Sequence, residues 1–436
     1  MLKLRGSVIV LVSTMTLVLT GCPTGADDND GAITVPGATV AAQLAWLRDN
    51  AASNNVYVIE VSANADIAPQ DLSFDGTSNI AVNLRGTGAM RTIGLSANGS
   101  LFEVGSGVTL ILGNNITLRG RSENNAPLVL VEEGGSLVMN TGSVIAYNAR
   151  IDGSGGGVEI MGGGTFTMNG GRISDNSIRS LVWIAGGGVH VWPGGKFTMN
   201  GGEISHNASI GLTGGSGIVW ASGGGVRVGG TFHMYGGAIS RNTARNGGGV
   251  AVDPSGTFIM RGGEVSNNAC PDDQLQPWSN GGGVVVQGVF TMHGGAISGN
   301  TAISGGGGVN VSDYSEPGGV FTMYGGTISG NTARNGTGGV AVGFRLVQGR
   351  GTGTFNMRGG AIYGNTAYVG GGVNVVGIFN ISNGVIYGND AATGRRNTAT
   401  NGAALYVDSR GTAAASGGNP LGTSEATVRV ANGSLQ

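Results

Sequence analysis

One recurring three-part motif constrains this chain more than any other feature. Phe-x-Met occurs at Phe166–Met168, Phe197–Met199, Phe232–Met234, Phe258–Met260, Phe290–Met292, Phe321–Met323 and Phe355–Met357. Phe379-Asn380-Ile381 is a late variant and Leu137-Val138-Met139 an early one. A glycine pair or a relative follows each, then x-Ile-x-x-Asn or a close variant, then a stretch of variable length, then Gly-Gly-Gly-Val-x-Val or a relative. The valine of this last segment falls at Val158, Val189, Val226, Val250, Val284, Val309, Val340 and Val373, and Leu405 continues the series. Successive phenylalanines lie 24 to 35 residues apart. Periods of this size mark repeat architectures: one unit cannot bury its apolar face alone, and stacking supplies the core.

Phe-x-Met, x-Ile-x and Val-x-Val all alternate with the strand period of two. No segment of the repeat is long enough, or 3.6-periodic enough, for a helix. Glycine makes up 89 of 436 residues, with only 10 prolines and no strict G-X-Y period, so collagen is excluded. Apolar residues reach 40%, which argues against disorder. The pattern predicts an all-β fold: a right-handed parallel β-helix with one coil per repeat and inward columns of Phe, Met, Ile and Val. The handedness follows from that of parallel crossovers.

The Asn of x-Ile-x-x-Asn forms its own column: Asn148, Asn176, Asn207, Asn242, Asn268, Asn300, Asn331, Asn365 and Asn389. Side-chain amides stacked at a bend can hydrogen-bond from coil to coil, so an asparagine ladder is expected.

Outside the regular repeats, residues 1–22 read as a lipoprotein signal peptide. Lys3 and Arg5 precede an apolar stretch from Val8 to Leu19, which is too short to span a bilayer. The segment ends Leu19-Thr20-Gly21-Cys22, which resembles the lipobox of bacterial lipoproteins and implies lipid on Cys22. Residues 23–38 are expected to be a flexible tether. Residues 39–136 hold a helical pattern with apolar positions Val40, Leu44 and Leu47, expected to cap the open end of the solenoid, and then less regular coils. Regular repeats occupy 137–410 and a weakly patterned end segment 411–436. With Cys22 lipidated, Cys270 alone can make neither an intramolecular disulfide nor a zinc site.

Ile297-Ser298-Gly299-Asn300-Thr301-Ala302 followed by Gly306-Gly307-Gly308-Val309 resembles the repeats of chlamydial polymorphic outer-membrane proteins, whose pattern is Phe-x-x-Asn followed by Gly-Gly-Ala-Ile. The chain is also similar to β-helical surface lipoproteins of spirochaetes. The resemblance covers about residues 130–410 and is specific for the coil. Here Ile replaces Phe, and no C-terminal stretch reads as a membrane barrel. The resemblance therefore implies a lipid-anchored, adhesin-like protein at the outer membrane or cell surface.

Insertions fall after the Asn or after Val-x-Val, so the outward residues of the Val-x-Val strand are expected to line a groove between loops. Three adjacent coils place Glu159, His190 and Arg227 there, with Trp192 on the same strand as His190 and Trp183 and Trp220 in the loops entering these strands. Indoles beside a few polar groups suit a glycan or a surface protein as ligand. Charged residues are 11% and the net charge is −2, which excludes a nucleic-acid binder driven by phosphate neutralisation.

The alternative is a polysaccharide lyase or glycoside hydrolase, which needs paired carboxylates. Glu203 and Glu264 share a column two coils apart, roughly 10 Å at strand spacing. His190, His206, His233 and His293 fall at scattered coil positions, so no metal and no cofactor is expected. The expected partners are a membrane, through Cys22, and a surface glycan or protein.

Overall fold

The computed structural model describes residues 31–180, 184–211, 221–271, 280–311, 318–343, 353–416, 418–431 and 434–436. The signal segment with Cys22, the loop tryptophans Trp183 and Trp220, and the first half of the tether lie outside the described residues.

Each repeat forms one turn of a parallel β-solenoid. The Phe-x-Met strands pair in register from Phe166 through Phe197, Phe232, Phe258, Phe290, Phe321 and Phe355 to Phe379. The Ile strands do the same from Ile173 to Ile362 and belong to the same sheet. The Val-x-Val strands form a separate 12-stranded parallel sheet that runs from Gln70–Leu72 to Leu405–Val407. In the earlier section, Val82, Leu110 and Leu137 occupy the phenylalanine column, so these strands belong to the same stack.

Burial follows the alternation. Phe166 to Phe379 are at most 1% exposed, as are the methionines beside them. From Phe166 to Phe355 adjacent rings lie 4.6–4.8 Å apart with planes within 7° of parallel. Strand spacing and ring-stacking distance coincide, which lets one residue type fill the column in coil after coil. The glycine pair turns the chain between the Phe and Ile strands. Gly237 has φ +85°, and a Cβ there would meet the Gly202 carbonyl oxygen at 2.7 Å and Met199 Cε at 2.6 Å. Backbone angle and close packing both require glycine at this turn.

The asparagines form a continuous ladder. From Asn176 to Asn365 each side-chain amide donates to Oδ1 of the next member at 2.9–3.0 Å and to a backbone carbonyl of the preceding coil at 2.8–3.2 Å. Asn148 joins through its backbone N–H to Asn176 Oδ1 at 3.1 Å. The residue before each ladder asparagine from Asn176 to Asn365 takes the left-handed conformation, as at Asp175, His206, Arg241 and Asn267, and as Gly299, Gly330 and Gly364 in later coils. The third glycine of Gly-Gly-Gly-Val packs on the ladder: a Cβ on Gly225 would lie 3.0 Å from Asn242 Nδ2. The Ile-x-x-Asn and Gly-Gly-Gly-Val motifs therefore recur together because they touch.

Asn389 is a correction to the sequence reading. Its Ile-x-x-Asn match is complete, yet it is exposed, and Asn397 takes the last ladder place by accepting from Asn365 at 2.9 Å. The cause is the C-terminal segment. Strand Val428–Ala431 returns antiparallel to Gly384–Ile386, and the N–H groups of Gly388 and Asn389 bond to Thr427 Oγ1 and the Glu425 carbonyl. This draws Asn389 off the column, and the chain makes a wider loop before Asn397 reaches it.

Among the described residues there is one helix, Val40–Asn50, N-capped by Thr39, whose Oγ1 accepts from the Ala42 N–H at 3.2 Å. It buries Val40, Leu44 and Leu47 in the main core and packs on strand Val56–Val61.

Candidate functional site

The Val-x-Val strands place Glu159, His190 and Arg227 side by side on three adjacent coils. The face they occupy is not an open groove. Glu159 is 7% exposed and His190 3%, and further along the column Ala251, Val285, Asn310 and Ala341 are all buried. The chain entering each strand doubles back over the strand's outer face. A Cβ on Gly155 would lie 2.7 Å from Glu159 Cβ, and one on Gly186 3.0 Å from His190 Cβ. Beyond these glycines the post-asparagine segments Ala149–Ile151, Ser177–Ser180, Ala208–Gly211 and Thr243–Ala244 pair into a four-stranded sheet of their own. The insertions expected to flank a groove supply this second layer, because their backbone groups need partners and find them in the neighbouring coils.

Several polar side chains under this layer pair with one another. Glu159 accepts from Arg150 Nη1 at 2.8 Å and from Trp192 Nε1 at 2.8 Å. Burial raises the Glu159 carboxyl above its usual value against the pull of Arg150 and Trp192, and burial lowers Arg150. Arg227 Nε donates to both carboxylate oxygens of Asp253, at 2.9 and 2.8 Å. The His190 ring lies 4.6 Å from that of Trp192, tilted by 43°, and its buried Nδ1 has no hydrogen-bond partner. Burial, with Arg227 and Arg150 nearby, lowers its pKa to about 3, so the imidazole is neutral. Glu159, His190, Arg227 and Trp192 are thus brought together, but as a covered ion-pair cluster in which, among the described residues, only Trp192 is exposed. Arg150 and Asp253 complete the cluster and went unread in the sequence. The signal was present: the middle residues that follow are Ala251 and Val285, an apolar run that marks a covered face.

Glu203 and Glu264 do share one column with Ala238 between them. Each is tied to a serine, Glu203 Oε1 to Ser240 Oγ at 3.1 Å and Glu264 Oε1 to Ser298 Oγ at 2.8 Å. Cys270 is 2% exposed, its Sγ faces the carbonyls of Asn280 and Gly281, and burial pushes its thiol up to about 12. Among the described residues no three His, Cys, Asp or Glu side chains converge as metal ligands would.

A second ordered polar surface, this one exposed, lies at the corner just after each Phe-x-Met. Successive coils place Asn140, Asn169 and Asn200 there, then Tyr235, Arg261, His293, Tyr324 and Arg358, all but the half-buried Asn140 classed as exposed. The amides bond to each other, Asn169 Nδ2 to Asn140 Oδ1 at 3.1 Å and Asn200 Nδ2 to Asn169 Oδ1 at 2.9 Å. Beyond them the Arg261 guanidinium lies 5.9 Å from the Tyr235 ring centre and that of Arg358 5.6 Å from Tyr324. The His293 and Tyr324 rings stack at 5.1 Å, 5° from parallel. This column was readable from the repeat, since it is the residue after each methionine. Comparison with protein-family models, with curated proteins and with solved structures returned no match for this chain.

Proposed function

We propose that this chain is a non-catalytic binding scaffold of the bacterial cell envelope, anchored by lipid on Cys22 and presenting the outer face of a right-handed β-helix to a glycan or surface protein. The observation that carries this reading is the corner column: aromatic, cationic and amide side chains repeat at coil spacing on a backbone locked by the asparagine ladder. A rigid solenoid with ordered side chains along one edge loses little freedom on binding an extended partner. Glu159, Glu203 and Glu264 are each held by neighbouring donors, which favours binding over acid–base work. In this reading the helix Val40–Asn50 closes the N-terminal end of the stack.

The test has two parts. The full chain in detergent is screened on arrays of glycans and extracellular-matrix proteins, and against acidic and neutral polysaccharides for released product. Binding without product supports the scaffold; product release would support the lyase or hydrolase. In bacteria, Cys22→Ser is expected to leave the protein unprocessed or release it from membranes. Detergent partitioning like that of the wild type would remove the lipid anchor from the proposal.

A further inference from the structure

Naming a ligand class for this scaffold rests on the binding reading above. We infer that the corner column Tyr235, Arg261, His293, Tyr324 and Arg358 is a binding strip for a linear acidic polysaccharide carrying uronate carboxylates.

The strip offers two guanidinium groups, two phenol hydroxyls and one imidazole on five consecutive coils, all of them donors and none a carboxylate. Tyr235 and Tyr324 are 49% and 46% exposed. Among the described residues neither Arg261 nor Arg358 is in an ion pair, whereas Arg150 and Arg227 each hold a carboxylate within 2.8 Å. The nearest acid along the chain, Glu264, is engaged by Ser298 at 2.8 Å. The cations of the strip are therefore free for an external anion, and guanidinium is the side chain best suited to a carboxylate.

The His293 and Tyr324 rings stack on each other, and the Arg261 and Arg358 guanidiniums lie over the Tyr235 and Tyr324 rings, so the strip's side chains hold one another in place. The order is set before any ligand arrives, and the repeat along the row is that of the strands, roughly 4.8 Å. That is close to the advance of one ring in an extended sugar chain, so successive coils can meet successive sugars. The Asn140–Asn169–Asn200 amide ladder extends the same line with donors and acceptors suited to sugar hydroxyls.

At the strip's far end Arg358 opens into a cleft of about 470 Å³ that Asn356, Asn380 and Ser382 also line. A chain lying on the strip would place an end or a branch in this polar recess. Nucleic acid fits less well. Its affinity comes from many neutralised phosphates, and five coils here supply two arginines in a protein of net charge −2.

The experiment measures binding of the full chain in detergent to polygalacturonate, with dextran as neutral control and an oligo(dT) strand as polyanion control. Binding to polygalacturonate is expected to weaken with salt and to exceed binding to either control at least about tenfold. Arg261→Gln with Arg358→Gln is expected to weaken it at least about tenfold, as loss of two charge-assisted contacts should. Tyr235→Ala with Tyr324→Ala is expected to do the same by removing the stacking frame. Arg429→Gln, an exposed arginine on the C-terminal return strand, is expected to change nothing. Thermal melts like that of the wild type establish that each variant is folded. The inference is overturned if the wild type does not bind polygalacturonate, if dextran or oligo(dT) binds as well, if the folded double variants keep full affinity, or if Arg429→Gln loses as much. An overturned strip alongside a different ligand on the array leaves the scaffold standing; a blank array removes both.

Discussion

Asn242 Oδ1 accepts two hydrogen bonds from one residue of the preceding coil, the backbone N–H of Asn207 at 2.9 Å and its side-chain amide at 3.0 Å. Asn242 in turn donates back to the Ile204 carbonyl at 2.8 Å and forward to Asn268 Oδ1 at 3.0 Å. One buried amide thus ties three coils together. Asn242→Ala leaves the Asn207 backbone N–H without an acceptor in a dry interior, while the Asn207 amide keeps the Ile173 and Ser205 carbonyls, and is expected to cost about 1–3 kcal/mol. Asn242→Asp keeps the acceptor and loses both donor bonds, so it is expected to fail as well. Asn397→Ala, at the end of the ladder, is expected to be milder, and Asn389→Ala to stay within about 0.5 kcal/mol. Denaturant unfolding of the four variants checks the order. Comparable losses at Asn389 and Asn242 would refute the ladder's end at Asn397.

Phe258 stacks between Phe232 at 4.8 Å and Phe290 at 4.7 Å and is fully buried. Phe258→Ala is expected to cost about 3–5 kcal/mol, the usual range for truncating a core aromatic. Thr291 points outward beside Phe290, and Thr291→Ser is expected to lie within about 0.5 kcal/mol. Chemical denaturation of both variants decides, and similar effects would mean that the strand faces are reversed.

The neutral His190 gives stability an acid limit. Its folded pKa of about 3 lies below the ordinary 6.5, so between these values the unfolded chain binds a proton that the folded chain excludes. Stability contributed by the neutral ring is complete above pH 6.5 and falls as pH drops toward 3, by up to about 1.4 kcal/mol per pH unit. Glu159 acts in the opposite sense, since its raised pKa lets the folded state hold a proton that the unfolded state releases. His190→Gln is expected to flatten melting temperature against pH between 6.5 and 5 relative to its own value at pH 7.5. An unchanged slope would place the acid sensitivity elsewhere.

Arg241 occupies the left-handed bend before Asn242 with φ +55°, where later coils place Gly330 and Gly364. The left-handed region disfavours side chains by roughly 1–2 kcal/mol, so Arg241→Gly is expected to stabilise by up to about 1 kcal/mol after glycine's own entropic cost. Arg241→Val, β-branched, is expected to destabilise. Thermal melts of both test the bend.

Where one residue type repeats at fixed offsets, as with Phe, Met and Asn, the sequence specified both the coil and the inward side chains. Alternation alone decides which neighbour points in. It does not say whether the outward side of a strand meets water. Glu159 and His190 look like surface residues by that rule, and only the backbone folded over them, entering through Gly155 and Gly186, buries them. Asn389 shows the second limit. Its motif is intact, but a strand some 40 residues further along the chain competes for its backbone, and such long-range pairing leaves no local mark.

The phenylalanine, methionine and asparagine columns place like on like in nearly every coil, so any regular unit presents the same top and bottom surface to its neighbours. Removing or duplicating a whole unit would rejoin matching surfaces and expose no core. Rod length can therefore change in steps of roughly 4.8 Å per coil without a new folding problem. The distance between the first coil and the last is an adjustable dimension, set by the number of repeats and independent of the chemistry carried on the outside.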